Sequence, residues 1–476
     1  MSLLCIKKEK MNFIGRIWIG LLLLLPVIVY SQDSISLNAD NEILKRKEFY
    51  GFVRGGLYTG IDHDDKDKPY VSSAFSDFGL KIEMENDLNF KAFADLRFRY
   101  GVEFLEPVNR LDIREAYVKV NGKRWDLAAG QKIVKWGRAD FTNPTSKISP
   151  QNLISRSPDR EDMDMGNLLS TFNWYPSDHI NLEAVVIPFY RSSVLIIDPI
   201  PLPENVTIKQ INSLITNKEM FSYGLKADIH LKGIDWGLSW FDGYDPMPGI
   251  ALTGFNLDLS VTIQVPVTEL TITPYKTRVL GLDFETSAGN VGIRGEAAWS
   301  VPYISYETRE YVPWPEINWV TGIDWSSGVW RITGEYSGKN IPDFTPATVD
   351  PVIGTEPDYA RLAELLAIPG FDLEGYVRQQ VGTFNRLYNY QLKRYYHSAG
   401  IRIESDLVYG KLTPSFFTMY NFTSRDLLLI PEIKYKPVDG LTITAGAEFY
   451  SGRSGSLYDI VDGFMNSIYV ALKVDF

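Results

Sequence analysis

The chain closes on Asn466-Ser-Ile-Tyr-Val-Ala-Leu-Lys-Val-Asp-Phe476. Ile468, Val470, Leu472, Val474 and Phe476 fall on one face, and Ser467, Tyr469, Ala471, Lys473 and Asp475 on the other. A period of two marks a β-strand, because successive side chains leave a strand on opposite sides. Taken alone, the stretch describes any half-buried antiparallel strand. Its repetition along the chain gives it weight.

Phe90, Ala92, Ala94, Leu96, Phe98, Tyr100 and Val102 oppose Lys91, Asp95, Arg97, Arg99 and Glu103. The same alternation runs through 221–231, 291–301 and 441–449. Eighteen such strands start near residues 48, 75, 90, 111, 124, 167, 180, 220, 234, 271, 290, 314, 328, 393, 409, 426, 441 and 465. Every second connection is tight and rich in turn-forming residues: 85–88, 121–123, 176–178, 232–233, 288–290, 326–328, 406–409 and 437–440. The others are mostly longer: 61–74, 104–110, 137–166, 189–219, 244–270, 302–313, 339–392, 422–425 and 452–464. Short turns at one end and long loops at the other are the plan of a transmembrane β-barrel, and an even strand count returns both termini to the short-turn side.

The N-terminus reads as a secretory signal peptide, 1–31. Lys7, Lys8, Lys10 and Arg16 precede an apolar run, Ile17 to Tyr30, and Ser31-Gln32 is the expected cut. Met11 is an alternative start. A short periplasmic segment, 32–47, then leads into the barrel, 48–476. The one cysteine, Cys5, lies in the leader, so the exported chain has neither a disulfide nor a thiol ligand. Net charge is -11, and the leader holds four basic residues and one acid, which leaves -14. Such a balance argues against a nucleic-acid partner. After the leader no apolar run is long enough for a spanning helix. Tyr (27) and Trp (11) are numerous enough to supply interfacial girdles. No repeat of propeller or solenoid length occurs. The first strand follows the leader too soon for the plug domain of a TonB-dependent transporter.

Two features carry resemblances. A last strand ending in an aromatic carboxylate resembles the C-terminal strand of bacterial outer-membrane barrels. That likeness implies recognition of Phe476 by the barrel-assembly machinery and an outer-membrane lipid environment. The segment Ala129-Gly-Gln-Lys-Ile-Val-Lys-Trp-Gly-Arg-Ala-Asp-Phe-Thr-Asn-Pro144 resembles the G-[RQ]-x-x-V-x-W-G stretch, followed by Asn-Pro, of a largely uncharacterised porin-like family. That family is related in plan to alginate-export barrels. The match covers residues 111–153. It implies a barrel and a conduit for a small solute or a polymer, and it names no substrate.

If the apolar faces meet lipid, the other faces line a channel. That lining includes Asp95, Arg97, Arg99, Asp283, Glu285, Arg294, Glu296, Arg331, Glu335, Arg402 and Glu404, with Lys81, Glu83, Lys91, Glu115 and Lys119. Opposed charges across a wet bore favour polar, oriented solutes. The same charges serve equally as cross-strand ion pairs that stiffen the wall. The loop after the fifth strand is expected either to fold inward, with Lys132, Lys135, Trp136, Arg138 and Asp140 at a constriction, or to pack at the rim. Two outer loops are apolar, 194–203 and 246–265, and are expected to close on each other as a lid, or else to dock a partner protein. The longest loop carries two helical patterns, 359–368 and 373–383, with Asp358 and Asp372 as caps.

No cofactor, metal or catalytic motif is recognised. His63 sits in an acidic tip, Asp62-His-Asp-Asp65, better read as solvated loop charge. A barrel hydrolase would need a serine–histidine pair, such as His397 with Ser415 or His230 with Ser222. The reading is a porin-like outer-membrane channel for a small polar or amphipathic solute or a polymer. A conduit for hydrophobic molecules and a surface scaffold with a sealed lumen are its alternatives.

Overall fold

The computed structural model describes residues 44–476 apart from 62–68, 87–88, 197–199, 201, 203–204, 210–213, 216–219, 258–265 and 354–358. The leader with Cys5, nearly all of the 32–47 segment, the tip around His63 and the Asp358 cap lie outside the described residues, as do parts of the apolar loops and of the turn at 85–88.

Eighteen strands form one sheet. They are β1 (Leu44–Ile61), β2 (Pro69–Asn86), β3 (Phe90–Glu103), β4 (Glu106–Asn121), β5 (Trp125–Lys132), β6 (Asn167–Ser177), β7 (Ile180–Ile187), β8 (Ser222–Leu231) and β9 (Ile234–Tyr244). β10 (Lys276–Ala288), β11 (Val291–Pro302), β12 (Glu316–Ser327), β13 (Trp330–Asn340), β14 (Tyr395–Ser405), β15 (Leu412–Asn421), β16 (Asp426–Tyr435), β17 (Leu441–Ser451) and β18 (Ser467–Asp475) complete it. Each pairs antiparallel with its neighbours in sequence, and β1 pairs with β18 from Phe52 opposite Asp475 to Gly60 opposite Ser467. The sheet is therefore a closed barrel. Phe476 extends the seam by exchanging backbone hydrogen bonds with Gly51.

The faces are inverted relative to a water-soluble protein. Leu57, Phe98, Leu111, Leu225, Leu238, Leu282 and Ile323 are exposed, whereas Arg54, Asp77, Asp95, Arg99, Asp283 and Glu296 are buried. Trp125, Trp174, Trp325 and Trp330 gather outside at the short-turn end, and Tyr303 and Tyr395 at the long-loop end. An apolar wall between aromatic girdles is the exterior that lipid requires.

Several local expectations are corrected. The connection at 104–110 is a two-residue turn, because Phe104 and Leu105 both adopt positive φ and let β4 begin at Glu106. Residues 266–273 do not enter the barrel; they pair antiparallel with 249–257 and parallel with 206–209 as a separate three-stranded sheet. The loop 452–464 contains an unforeseen helix. The helices are α1 (Tyr359–Leu366), α2 (Leu373–Tyr388) and α3 (Leu457–Met465). Asp372 caps α2 by accepting from the Gly375 N–H at 2.9 Å. Val377, Val381 and Phe384 of α2, Val461 and Met465 of α3, and Ile250, Leu252 and Leu270 of the sheet share one apolar core. Asn385 fixes this docking through both its atoms: its Oδ1 accepts from the Ile250 N–H, and its Nδ2 donates to the Ile250 carbonyl, each at 2.8 Å. Among the described residues of the apolar loops, Leu195, Ile200, Ile250 and Leu252 are thus buried in this core. Leu282 lies mid-strand on the lipid face, so Leu282→Arg should cost about 2–4 kcal/mol of barrel stability in lipid, read by reversible denaturant unfolding, while Leu282→Ile leaves it nearly unchanged.

Candidate constriction site

Residues 133–166 join β5 to β6, and instead of rising over the rim they fold into the barrel. The first half is seated by packing. Val134, Trp136 and Ile148 cover an apolar patch made by Leu169, Val185, Phe241, Val279 and Ala298 of the wall. Trp136 is 1 % exposed. Its ring lies over Gly224, where a Cβ would meet it at 2.5 Å, and its indole N–H donates to Glu183 at 2.8 Å. Gly137 takes φ +87 and leaves room for the Glu296 carboxylate, which a Cβ would meet at 2.3 Å. The Trp-Gly pair is therefore an anchor, and Trp136 does not line the bore.

Wall carboxylates then take up the loop's backbone N–H groups. Glu296 accepts from the amides of Arg138 (3.0 Å), Ala139 (3.2 Å) and Thr145 (2.8 Å), and from the Thr145 hydroxyl. Glu335 accepts from the amides of Asp140 and Phe141. Arg138 reaches Asp283 at 2.7 Å and Glu285 at 3.0 Å, and Arg294 pairs with Asp140 and Asp324. Buried backbone donors need acceptors, and here side chains on distant strands supply them. Burial raises the Asp140 carboxyl above its ordinary range, against the pull of Arg294.

The second half crosses to the opposite wall. Arg156, 2 % exposed, donates to Glu448 at 2.8 Å and to the carbonyls of Phe464 (2.9 Å) and Met465 (3.2 Å), at the C-terminal end of α3. Asp159 lies 3.6 Å from Lys434 and 3.9 Å from Lys473. Asp162 meets Arg54 at 2.7 Å, Arg97 at 3.5 Å and Arg114 at 3.8 Å, and the Ser157 hydroxyl donates to it at 2.6 Å. These arginines have wall partners too: Arg54 and Arg99 share Asp77, each at 2.6 Å, and Arg97 holds Asp95 at 2.6 Å. Burial alone would raise the Asp162 carboxyl, but Arg54, Ser157 and Arg97 bring it down to about 2.

The remaining candidates are scattered. Lys135 pairs with Asp164 at 2.5 Å, and Lys132 lies over the Tyr117 ring at 5.5 Å. Arg331 and Glu404 pair with each other across β13 and β14 near the short turns. Arg402 leans on Phe141 and Phe417. Sequence reading missed Arg54, Asp77, Arg114, Arg156, Arg160 and Asp162. A bulge in β4 sets Asp95 opposite Glu115 and Leu96 opposite Ile113. The extra residue, Arg114, thereby turns inward beside Glu115, which strict alternation forbids. The charge run Arg156-Ser-Pro-Asp-Arg-Glu-Asp162 was visible as a signal, but its partners were not.

Two cavities flank the loop. One of about 530 Å³ on the short-turn side is lined by Lys81, Arg160, Arg402, Phe417, Lys434 and Lys473 among others. The other, about 240 Å³ on the long-loop side, is lined by Asp77, Arg99, Arg110, Asp112 and Arg191 among others. Arg97, Arg114 and Asp162 line both.

Neither proposed hydrolase pair forms. His397 bonds Tyr336 on the outer face, whereas Ser415 lines the inner cavity. His230 and Ser222 are eight residues apart on one strand, about 27 Å, and His230 contacts Asp235.

No protein-family description matches the chain, and no curated protein resembles it in sequence. Its backbone is similar to solved outer-membrane barrels. OccK2 (OpdF) of Pseudomonas aeruginosa superposes with a TM-score of 0.53 at 10% identity over 92% of this chain and 98% of that one. OccAB1 of Acinetobacter baumannii gives 0.50 at 9% over 91% and 97%. OpdK of P. aeruginosa with vanillate gives 0.51 at 8% over 91% and 99%. The kinship to alginate-export barrels is not among these likenesses. The chain shares the eighteen-stranded antiparallel barrel fold of these outer-membrane proteins.

Two outcomes follow from the loop's anchoring. Glu296→Ala should destabilise the barrel by about 3 kcal/mol, because several buried amides lose their acceptor, and should make single-channel current noisy. Glu296→Gln keeps one of the two accepting oxygens and turns an NH2 group toward the other set of amides, so it should show both effects to a smaller degree. Because the Asp162 carboxyl sits at about 2, its ion pairs hold above that value and fail only as pH falls through it. Changes in conductance assignable to Asp162 should therefore be absent between pH 7 and about pH 4, measured as the difference between wild type and Asp162→Asn.

Proposed function

We propose that this barrel is a passive channel for small polar solutes. One observation carries the proposal: a loop anchored on opposite walls divides the charged lumen into two cavities that meet at a cluster of side chains. A bore so divided favours solutes of a few hundred cubic ångströms at most and disfavours a polymer. The likeness to a barrel solved with vanillate supports a solute of that size.

A conduit for hydrophobic molecules fits less well. Exposed apolar residues face lipid, and those of the outer loops are buried in the lid core. The cavities next to the loop are lined largely by charged groups. The scaffold reading rested on exposed apolar loops, and the docking of α2 and α3 on the loop sheet removes much of that surface.

The test is single-channel conductance of the purified protein in a planar bilayer, with and without Leu373–Tyr388. Wild type should conduct weakly and steadily, and loss of α2 should raise the conductance several-fold by opening the lid. Silence from both, with insertion confirmed by protease resistance, would sink the channel reading in favour of a sealed scaffold.

A further inference from the structure

A further cavity, about 290 Å³, lies beside the first half of the inward loop and is lined by no arginine among the described residues. Its wall is the long-loop end of β12 to β16, its roof belongs to the lid, and Thr142 and Pro144 of the loop close one side. Strand register builds the wall. Ser337 stands opposite Ser398, Ser398 opposite Asn421, and Asn421 opposite Asp426, so one row of inward side chains crosses four strands. Neighbouring strands lie about 4.8 Å apart, which makes the stretch from Ser337 to Asn421 roughly 10 Å long.

The middle of this row is neutral and uncommitted. The Ser337 and Ser398 hydroxyls make no side-chain hydrogen bond among the described residues. The Asn421 side-chain oxygen accepts from the N–H groups of Thr423 and Ser424, each at 3.0 Å, which leaves its NH2 group open to the cavity. The charged groups are by contrast engaged. Lys339 holds Glu316 at 2.7 Å, and Lys147 holds Asp245 at 2.8 Å. Asp426, 1 % exposed, ends the row and accepts from the Ser424 hydroxyl at 2.7 Å. Neither lysine is left to attract an acidic solute, and the Asp426 charge repels one. The remaining surface is apolar. Tyr390, just after α2, and Tyr458 of α3 are fixed against the lid core. Tyr396 meets Tyr390 edge-on at 5.7 Å, and its hydroxyl oxygen accepts from the Leu392 N–H at 3.0 Å. Met419 lies in the next row, nearer the short turns. An apolar enclosure with a few placed, uncharged polar groups selects by shape and hydrogen-bonding pattern.

We propose that this chamber is a binding site for a neutral polyhydroxylated solute, a monosaccharide or a cyclic polyol, held by the Ser337–Ser398–Asn421 row and covered by the tyrosine rings. Such a ring carries C–H bonds on its faces, which pack on tyrosine and methionine. Its hydroxyls stand at the edge, and each both donates and accepts, as two serine hydroxyls and an amide NH2 require. The solute brings no charge under the lid, so its entry leaves the Lys339–Glu316 and Lys147–Asp245 pairs closed. The inference rests on the channel reading above and names one class of solute.

The experiment reads block of ion current by glucose, with the full-length protein in a planar bilayer. Glucose should interrupt the wild-type current in a saturable way. Ser337→Ala combined with Ser398→Ala removes two hydroxyls and no charge. It should raise the half-blocking glucose concentration about tenfold, as expected of two lost hydrogen bonds. Ser415→Ala removes the same group from the inner cavity and should stay within about twofold of wild type. Unchanged block in the double variant, or equal weakening by Ser415→Ala, would overturn the proposal. If the double variant fails to insert, wild type is read with glucose and with dioxane, a neutral ring that has no O–H group. Block by glucose alone supports the site, and equal block overturns it. A wild type that conducts no ions in plain salt sinks the channel reading, whereas one that conducts and is not blocked by glucose sinks only this inference.

Discussion

A backbone in hydrocarbon has no water to bond, so every N–H and C=O of a spanning strand must find a partner on another strand. Closure of the sheet is the only arrangement that leaves no edge. Here β1 and β18 meet along a continuous register, and Phe476 itself bonds Gly51. Both features of the exterior follow. Each strand gives one face to lipid, so apolar residues stand outside, and the ends of the barrel meet the interface, so aromatic residues gather there. The polar faces are left with an enclosed volume too wide for side chains alone to fill at eighteen strands.

The inward loop fills part of that volume, and it meets the same requirement by other means. Between Arg138 and Thr145 its backbone has no strand beside it, so its amides would be buried without acceptors. Glu296 and Glu335 answer this need from the wall. Trp136 and Gly137 show the local side of the solution: a large ring fills the space over Gly224, and a missing Cβ admits a carboxylate. Arg156 then joins the far end of the loop to both the wall and α3. The lid and the constriction are thus held by one guanidinium, although they belong to loops far apart in the chain.

Charge in the lumen serves two ends at once. Cross-strand pairs such as Arg331 with Glu404 sit away from the loop and stiffen the wall. Pairs around Arg138, Arg294 and Asp162 connect wall to loop. In a wet bore an exposed pair contributes little stability, so the number of ion pairs is a poor measure of their role. Among the described residues, Arg160 and Arg402 pair with no carboxylate and lie against the Phe417 ring instead.

The number and order of the strands, the inverted faces and the long-loop and short-turn ends were legible in the residues, because each depends on the two-residue alternation of a strand and on local turn chemistry. All eighteen strands start within about six residues of where that alternation puts them: β1 and β2 reach further into their loops than expected, and β4 and β10 shift where positive φ at Phe104 and Leu105, and pairing outside the barrel, override the pattern. Trp136, Gly137 and Asn143-Pro144 announced a special loop. Only the tertiary structure decided what that loop does. Arg156 and Glu448 are 292 residues apart, and Arg138 and Glu296 are 158 apart. Pairings of that range follow from closure of the whole sheet, and a single bulge at Arg114 is enough to reverse which side chain faces the bore. Periodicity determines the wall of this protein, because lipid acts on each strand alike; its constriction is set by which distant strands the closed barrel brings together.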